Sequence, residues 1–372
     1  MSALKYSLGL LPALLSFLAI WAGGWWSFTP PLVIFGIMPL IDIVFDGSTE
    51  NITDEEYRTL RKERAYDYVL YTAVVLQYAL LGYFLYRVAF TDVVWWEVIG
   101  MTLSMGMCCG ILGINGGHEL GHRRKKSEQR MAHALLLTSL YTHFFIEHNR
   151  GHHATVGTDE DPASARLGEW LWTFIPRSAF GGYFSAWRLE RDRLSRHDRV
   201  WTWDNQMIRF TALQLAFTAA IFLLFGWVAG VAFIGAAVIG GALLETVNYL
   251  EHYGLERTLR EDGRPHPVEH IHSWNSNEPL GRYFLFELSR HSDHHAHARR
   301  NYQTLRHFDD SPQLPTGYPG MMVIAWIPPL WFWFVHRHMR NERARVLAMG
   351  GETAISPRVE RPRGTPRMAM NR

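Results

Sequence analysis

Apolar residues fall into long blocks joined by two kinds of connection, a pattern that predicts membrane-crossing helices rather than a soluble core. Blocks near the ~20 residues needed to cross the hydrocarbon layer run over 8–26, 68–90, 93–116, 207–227 and 228–249. A sixth, 29–45, is interrupted by Pro30, Pro31 and Pro39 and carries Asp42 near its end, so a kink or tilt is expected there. The joins at 23–29, 91–92 and 226–230 are tight and contain no Lys or Arg, whereas the other loops are basic. By the positive-inside rule, the termini and the segments holding Arg58, Arg61, Lys62, Arg64 and Arg123 to Lys126 face the cytoplasm. Three helical hairpins result. The fold class expected is an all-α membrane protein, a six-transmembrane-helix bundle with a cytoplasmic cap of helices and loops, multi-pass in the cell inner membrane.

Two further apolar stretches are not counted as spans. The stretch 131–146 is short and flanked by histidines, and 318–334 is broken by Pro328-Pro329, so both are expected to be interfacial or packed against the cap. Arg87, near the outer end of the third span, is read as snorkelling to the interface. The mean hydropathy of -0.09 fits a bundle only if much polar chain lies outside the lipid, mainly 253–317 and 159–205. The expected organisation is a single membrane-embedded catalytic domain over 1–340 and a basic, Pro-containing tail or linker over 341–372, disordered from about 351. The lone Lys5 before the first apolar run, with no small-residue cleavage pattern, favours a first span over a cleaved signal.

Composition adds three constraints. The net charge of +2 suggests no nucleic-acid partner. Trp25, Trp26, Trp95, Trp96 and Trp227 sit at the edges of apolar blocks, where amphipathic rings favour the headgroup region. The two cysteines, Cys108 and Cys109, are adjacent within an apolar block and offer neither a disulfide framework nor a CxxC metal site.

Histidine placement carries the chemistry. His118 and His122, then His148, His152 and His153, then His252, then His291, His294 and His295 all fall just beyond predicted helix ends on the cytoplasmic side. Residues three or four apart share a helical face, so His118/His122, His148/His152 and His291/His294/His295 can each present imidazoles in one direction. His153, turned about a third of a rotation from His152, can reach a second ion beside the first. Nine candidate ligands exceed the roughly four that close one tetrahedral site but suit two ions of four or five each. The expectation is a dinuclear site whose metal the ligand type alone does not choose.

Glu119, Glu147, Glu251 and Asp293 each adjoin a clustered histidine along the chain, but neighbouring helical side chains diverge. They are therefore candidates to orient some other imidazole through its second ring nitrogen, with simple pairing as the alternative. His266, His270 and His272 form a further cluster that would suit either ligation or a polar surface loop. His118 to His122 also satisfies HExxH, the zinc-protease motif, but that reading leaves the other multi-histidine clusters unexplained. Gly106, Gly110 and Gly113 make the span before the first histidine pair slim, either for close helix packing or as lining of a substrate channel.

The strings HELGHRR (118–124), EHNRGHH (147–153), NYLEHYGL (248–255) and SRHSDHH (289–295), with DPASAR (161–166) and HSWNS (272–276), closely resemble the membrane alkane 1-monooxygenase family. Fatty-acid desaturases and hydroxylases share only the looser three-box scheme. The resemblance covers roughly 29–338 and implies that the nine histidines hold two non-haem iron ions. It further implies O2 as co-substrate and conversion of a terminal methyl group of an alkane to a primary alcohol. Electrons would come from rubredoxin, reduced in turn by an NAD(P)H-dependent rubredoxin reductase. No CxxC pair is present to hold a rubredoxin iron, so the donor is expected to be separate or absent from this chain. Arg123, Arg124, Lys125 and Lys126 could attract an acidic donor, although topology signalling explains them too. The nearest alternatives are an aryl-methyl oxygenase of xylene type, then a lipid desaturase.

Overall fold

The computed structural model describes residues 3–45 and 47–360, and isolated β-bridges are the only extended pairings among the described residues. The main helices are α1 (Ala3–Ala22), α2 (Gly24–Val44), α3 (Ala65–Phe90), α4 (Trp95–Gly121), α5 (Lys126–Thr138), α6 (Leu171–Ser195), α7 (Gln206–His252), α8 (His291–Ala296), α9 (Tyr318–Ala325) and α10 (Pro328–Ala348). Five of them, α1 to α4 and α7, are long and apolar enough to cross a membrane.

The remaining crossing expected from the sequence, 228–249, is the second arm of α7. A straight helix of 47 residues would reach about 70 Å, more than twice the hydrocarbon thickness. Instead α7 folds back at Gly226, whose φ of 81° and ψ of 176° belong to a region that only glycine adopts freely. The rings of Phe217 and Phe233 consequently lie 5.6 Å apart, where an unbroken helix would separate them by about 24 Å. Gly23, at φ 64° and ψ −162°, makes the equivalent turn between α1 and α2. Replacing Gly226 by Ala should destabilise the hairpin by about 1–3 kcal/mol, read as a lower thermal midpoint in detergent. An unchanged midpoint would show that the turn tolerates a side chain.

The proline-rich span is interrupted as its composition demands. Pro39 has no amide hydrogen to donate into the helix, and the turn ahead of it, Val33–Ile37, widens to a π-helical segment. Pro328 and Pro329 likewise open α10, splitting 318–334 into α9 and α10. The other uncounted stretch breaks at Leu140, which takes a positive φ of 50°.

The tight joins gather at one end of the bundle. Arg87 Nη1 donates to the Trp21 carbonyl at 2.9 Å, Trp25 stacks on Trp96 at 4.8 Å, and Phe90 meets Phe225 at 5.9 Å. Exposed Trp21, Trp25, Trp26, Trp95 and Trp227 ring this end, the placement of an interfacial aromatic belt. At the opposite end the chain's polar segments form the cap. Tyr6 of α1 is sunk into it, its hydroxyl donating to Glu287 Oε1 at 2.6 Å and its ring edge-on to Tyr66 and Tyr302.

The expected unpacked tail needs correction over its described part. Residues up to 348 continue α10, and 351–360 lie along the cap: Leu255 bridges Ile355, Ser356 N donates to the Gly254 carbonyl at 3.0 Å, and Val359 is buried. The apolar Ile355 and Val359 among the arginines and prolines supply the anchor. The remainder of the tail, 361–372, lies outside the described residues.

Candidate metal centre

All nine histidines singled out by spacing converge at the cap end, and they sort into two groups. His118, His122, His148, His153 and His294 form one; His152, His252, His291 and His295 form the other. Within each group the candidate ligand atoms all lie within 4.8 Å of one another. His133, His143, His197, His307, His336 and His338 are in neither group, nor are His266, His270 and His272.

Local backbone explains the sorting. A π-helical segment, Cys109–Asn115, precedes the first pair, and Asn115 fixes its exit by donating from Nδ2 to the Leu285 carbonyl at 2.9 Å. A second π-helical turn, His148–His152, carries the next three. Such a turn closes from residue i to i+5, so the fifth residue comes as nearly into line as the fourth. His148 and His153 therefore share a group while His152 turns to the other, which corrects the pairing of His148 with His152. His294 similarly leaves His291 and His295 to join the first group. The last three ride on α8, which follows Phe286 and Glu287 at φ of 53° and 57°. Positive φ is costly for such residues and persists only where the surroundings impose it. Here Glu287 is gripped by Arg282, Nε to Oε2 at 2.6 Å, and by Tyr6.

The donor set fits metal ions. Two nitrogens about 2.1 Å from one ion and about 90–110° apart lie about 3.0–3.4 Å from each other. The Nε2 atoms face one another at 3.0 Å (His118, His294), 3.2 Å (His122, His148), 3.1 Å (His148, His153), 3.2 Å (His152, His295) and 2.9 Å (His291, His295). An imidazole nitrogen carries at most one hydrogen, so His148 Nε2 cannot serve both its neighbours by hydrogen bonding alone. The buried Nε2 of His252 has no partner at all. Burial, then repulsion from neighbouring imidazoles, holds His122, His148, His153, His291, His294 and His295 well below the ordinary imidazole range. They stay neutral, which leaves lone pairs free for a cation.

The acidic neighbours divide. Glu251 Oε2 lies 3.1 Å from His291 Nε2, the nitrogen that also faces His295, so it stands among the donor atoms rather than behind the ring, which corrects its expected role, and its Oε1 accepts from the Tyr318 hydroxyl at 2.9 Å. Glu119 turns away to the Arg123 guanidinium at 3.0 Å, which corrects its expected role behind an imidazole and also removes the glutamate that a zinc protease would need. Arg123 pairs with Asp67 as well, at 3.3 Å, and is largely buried, so it is no part of a docking surface. Asp293 is likewise corrected: it binds His297 at 2.8 Å and Arg306 at 2.9 Å, outside both groups. Glu147 is buried beside the centre with Oε1 unpartnered. His272 acts through its backbone, its carbonyl accepting from His252 Nδ1 at 3.3 Å.

Spacing missed Asp161, the first residue of DPASAR. Its Oδ2 accepts from His152 Nδ1 at 2.9 Å and from Ser164 Oγ at 2.6 Å, and its Oδ1 from the Ala163 amide at 3.1 Å. Burial disfavours charge on both partners, but the carboxylate holds His152 above its ordinary value.

An apolar cavity of about 70 Å³ approaches the centre from among α2, α4 and the second arm of α7, with none of the nine histidines in its wall. Ile34, Met38, Met107, Leu243 and Val247 line it, and at its inner end stand Asn115, Leu288 and Tyr318, the last bonded to Glu251. Of the three glycines, only Gly110 lines it. A Cβ on Gly106 would strike Ile239 at 2.6 Å, and one on Gly113 would strike Ser139 at 2.5 Å, so these two serve helix packing.

Fold and site together define a multi-span helical membrane protein whose buried histidine clusters could hold a metal centre. Residues 93–325 match the family model described as fatty acid desaturase. The chain is 41% identical over 343 residues to alkane 1-monooxygenase 1 of Pseudomonas aeruginosa, covering 91% of this chain and 88% of that protein. It is 42% identical over 302 residues to alkane 1-monooxygenase of Ectopseudomonas oleovorans, covering 81% and 75%. The xylene/toluene monooxygenase hydroxylase component of Pseudomonas putida is similar at 27% over 271 residues, covering 73% and 72%. The chain belongs to the alkane 1-monooxygenase family.

Proposed function

We propose that this protein hydroxylates linear alkanes at the terminal carbon, with O2 as oxidant and two non-haem irons held by the five-histidine and four-histidine groups. The observation that carries the reading is nine imidazoles, seven of them buried, in two groups beside an almost wholly apolar cavity. The balance is alkane plus O2, two protons and two electrons giving primary alcohol plus water. The irons would supply the redox chemistry that reduces O2 and oxidises an unactivated C–H bond. The chain's own residues do the rest: Asp161 fixes the tautomer of His152, Tyr318 holds Glu251 beside His291 Nε2 at the four-histidine group, and the cavity admits an apolar chain while excluding water. The electron donor is rubredoxin, served by its reductase, and the basic loops at the cap end support a centre on the cytoplasmic face of the inner membrane.

Purified protein supplied with rubredoxin, its reductase, NADH and labelled O2 should convert alkanes to labelled primary alcohols. Failure to turn over any alkane with both groups loaded with iron would sink the reading. The similarity to the xylene/toluene component favours an aryl-methyl oxygenase as the second reading, and labelled benzylic alcohols formed in preference would establish it. An unlabelled alkene would mean desaturation. Met322, on the cavity wall and away from the histidines, tests the substrate site. Met322→Trp should fill part of the cavity and cut turnover of the longest alkanes by about tenfold relative to the shortest. An unchanged chain-length profile in a folded variant would remove this cavity as the alkane site.

A further inference from the structure

A second opening approaches the centre from the other side of the α7 arm. Thr211, Gln214 and Thr218 lie at i, i+3 and i+7 on the first arm of α7, so a membrane-spanning helix presents a polar stripe. That stripe lines an open groove whose far wall is Phe180 and Phe184 of α6. The groove's inner wall is Tyr141 and His143, and the same two residues form the outer wall of a small polar pocket of about 10 Å³, room for about one water. The pocket contains His148 from one histidine group and His152 from the other. It shares no lining residue with the apolar cavity.

Unsatisfied polar atoms mark both ends of this path. Thr211 Oγ1 is shielded and unpartnered at the mouth, and Glu147 Oε1 is buried and unpartnered inside. Buried polar groups without protein partners are normally satisfied by water. Between the ends runs a hydrogen-bonded link: Tyr141 donates to Glu245 Oε1 at 2.6 Å, and Asn248 Nδ2 donates to Glu245 Oε2 at 3.2 Å.

We propose that this is a hydrated port, separate from the alkane cavity, through which protons reach the metal centre and water leaves it. The inference rests on the oxygenase reading, whose balance needs two protons inward and one water outward each turnover, with two electrons from the external carrier. An apolar cavity filled by alkane serves neither. Tyr141 and Glu245 are positioning residues that keep the water chain connected.

The first test does not depend on turnover. A Cβ at Gly182 would have its nearest neighbour, Glu147 Cγ, at 3.7 Å, so Gly182→Cys places a thiol in the pocket without a clash. In lipid nanodiscs a small cationic methanethiosulfonate should modify that thiol roughly tenfold or more faster than the fully buried Cys108 and Cys109 of the native chain, read by intact mass. Adding Thr211→Leu and Gln214→Leu at the mouth should return the rate to the native background. Ser178→Cys, also on the pocket wall, gives the same reading should Gly182→Cys fold poorly. Modification at background rate, or at a rate indifferent to the leucines, overturns the port. The second test replaces Glu245 by Gln: alkane turnover should fall by about tenfold or more with a larger solvent isotope effect and an unchanged alkane KM. A native isotope effect and rate overturn the positioning role of Glu245. Absence of alkane turnover in the native chain would instead defeat the function while leaving the thiol result intact.

Discussion

A His252→Ala chain should insert and fold normally yet lose the metal of the four-histidine group, with alkane turnover down by more than about 100-fold. His252 ends the second arm of α7, and its Nδ1 is already committed to the His272 carbonyl, so Nε2 alone faces the group. Without it, three imidazoles remain, fewer than the roughly four that close a site. His118→Ala gives the contrast. It removes one donor from the five-histidine group and leaves four, enough to retain an ion. The metal-to-protein ratio should therefore fall from two towards one for His252→Ala and fall less for His118→Ala. Two metals per chain in a folded His252→Ala protein would refute the assignment of His252. Equal losses in both variants would refute the five-and-four division.

The difference between those two variants lies in what the sequence could and could not disclose. Spans were readable because crossing a bilayer demands length and continuous apolarity, and the Gly226 turn was readable because a tight join without Lys or Arg separates two such lengths. The nine histidines were readable as a set, since spacing and position past helix ends do not depend on how the helices pack. Their division was not. Spacing at i and i+4 assumes an α-helix, and the π-helical turn at His148–His152 redistributes the three residues of that box. His294 parts from its neighbours on α8 because that helix lies between the two groups and serves both. Glu119 and Asp293 go elsewhere because arginines claim them: Arg123 one helical turn further along, an i,i+4 spacing the sequence does contain, and Arg306 from a later loop that spacing does not place. Asp161 was hidden because it contacts His152 by a loop that doubles back, and only the DPASAR string carried a signal for it.

Asp161 also yields the second large effect. Asp161→Asn keeps the shape of the side chain but not its acceptors. The carboxylate accepts from His152 and Ser164 on Oδ2 and from the Ala163 amide on Oδ1, so every site around it is a donor. An amide must turn its NH2 towards one of them, leaving a donor facing a donor in a buried setting at a cost of about 1–3 kcal/mol. If the NH2 faces His152, the imidazole can relieve the clash only by moving its hydrogen from Nδ1 to Nε2. Nε2 is the atom that lies 3.2 Å from His295 Nε2 within the four-histidine group, so the lone pair offered to the metal is lost. Metal affinity of that group should therefore drop about 10–100-fold, the usual range for losing the partner behind a ligating histidine. The five-histidine group should be unaffected. Titration with a competing chelator separates the two losses, and a thermal midpoint near native in the metal-free chain excludes a general folding defect. Affinity within about twofold of native would mean that His152 keeps its tautomer without help, and the aspartate would then be a packing residue rather than the one that aims the ring.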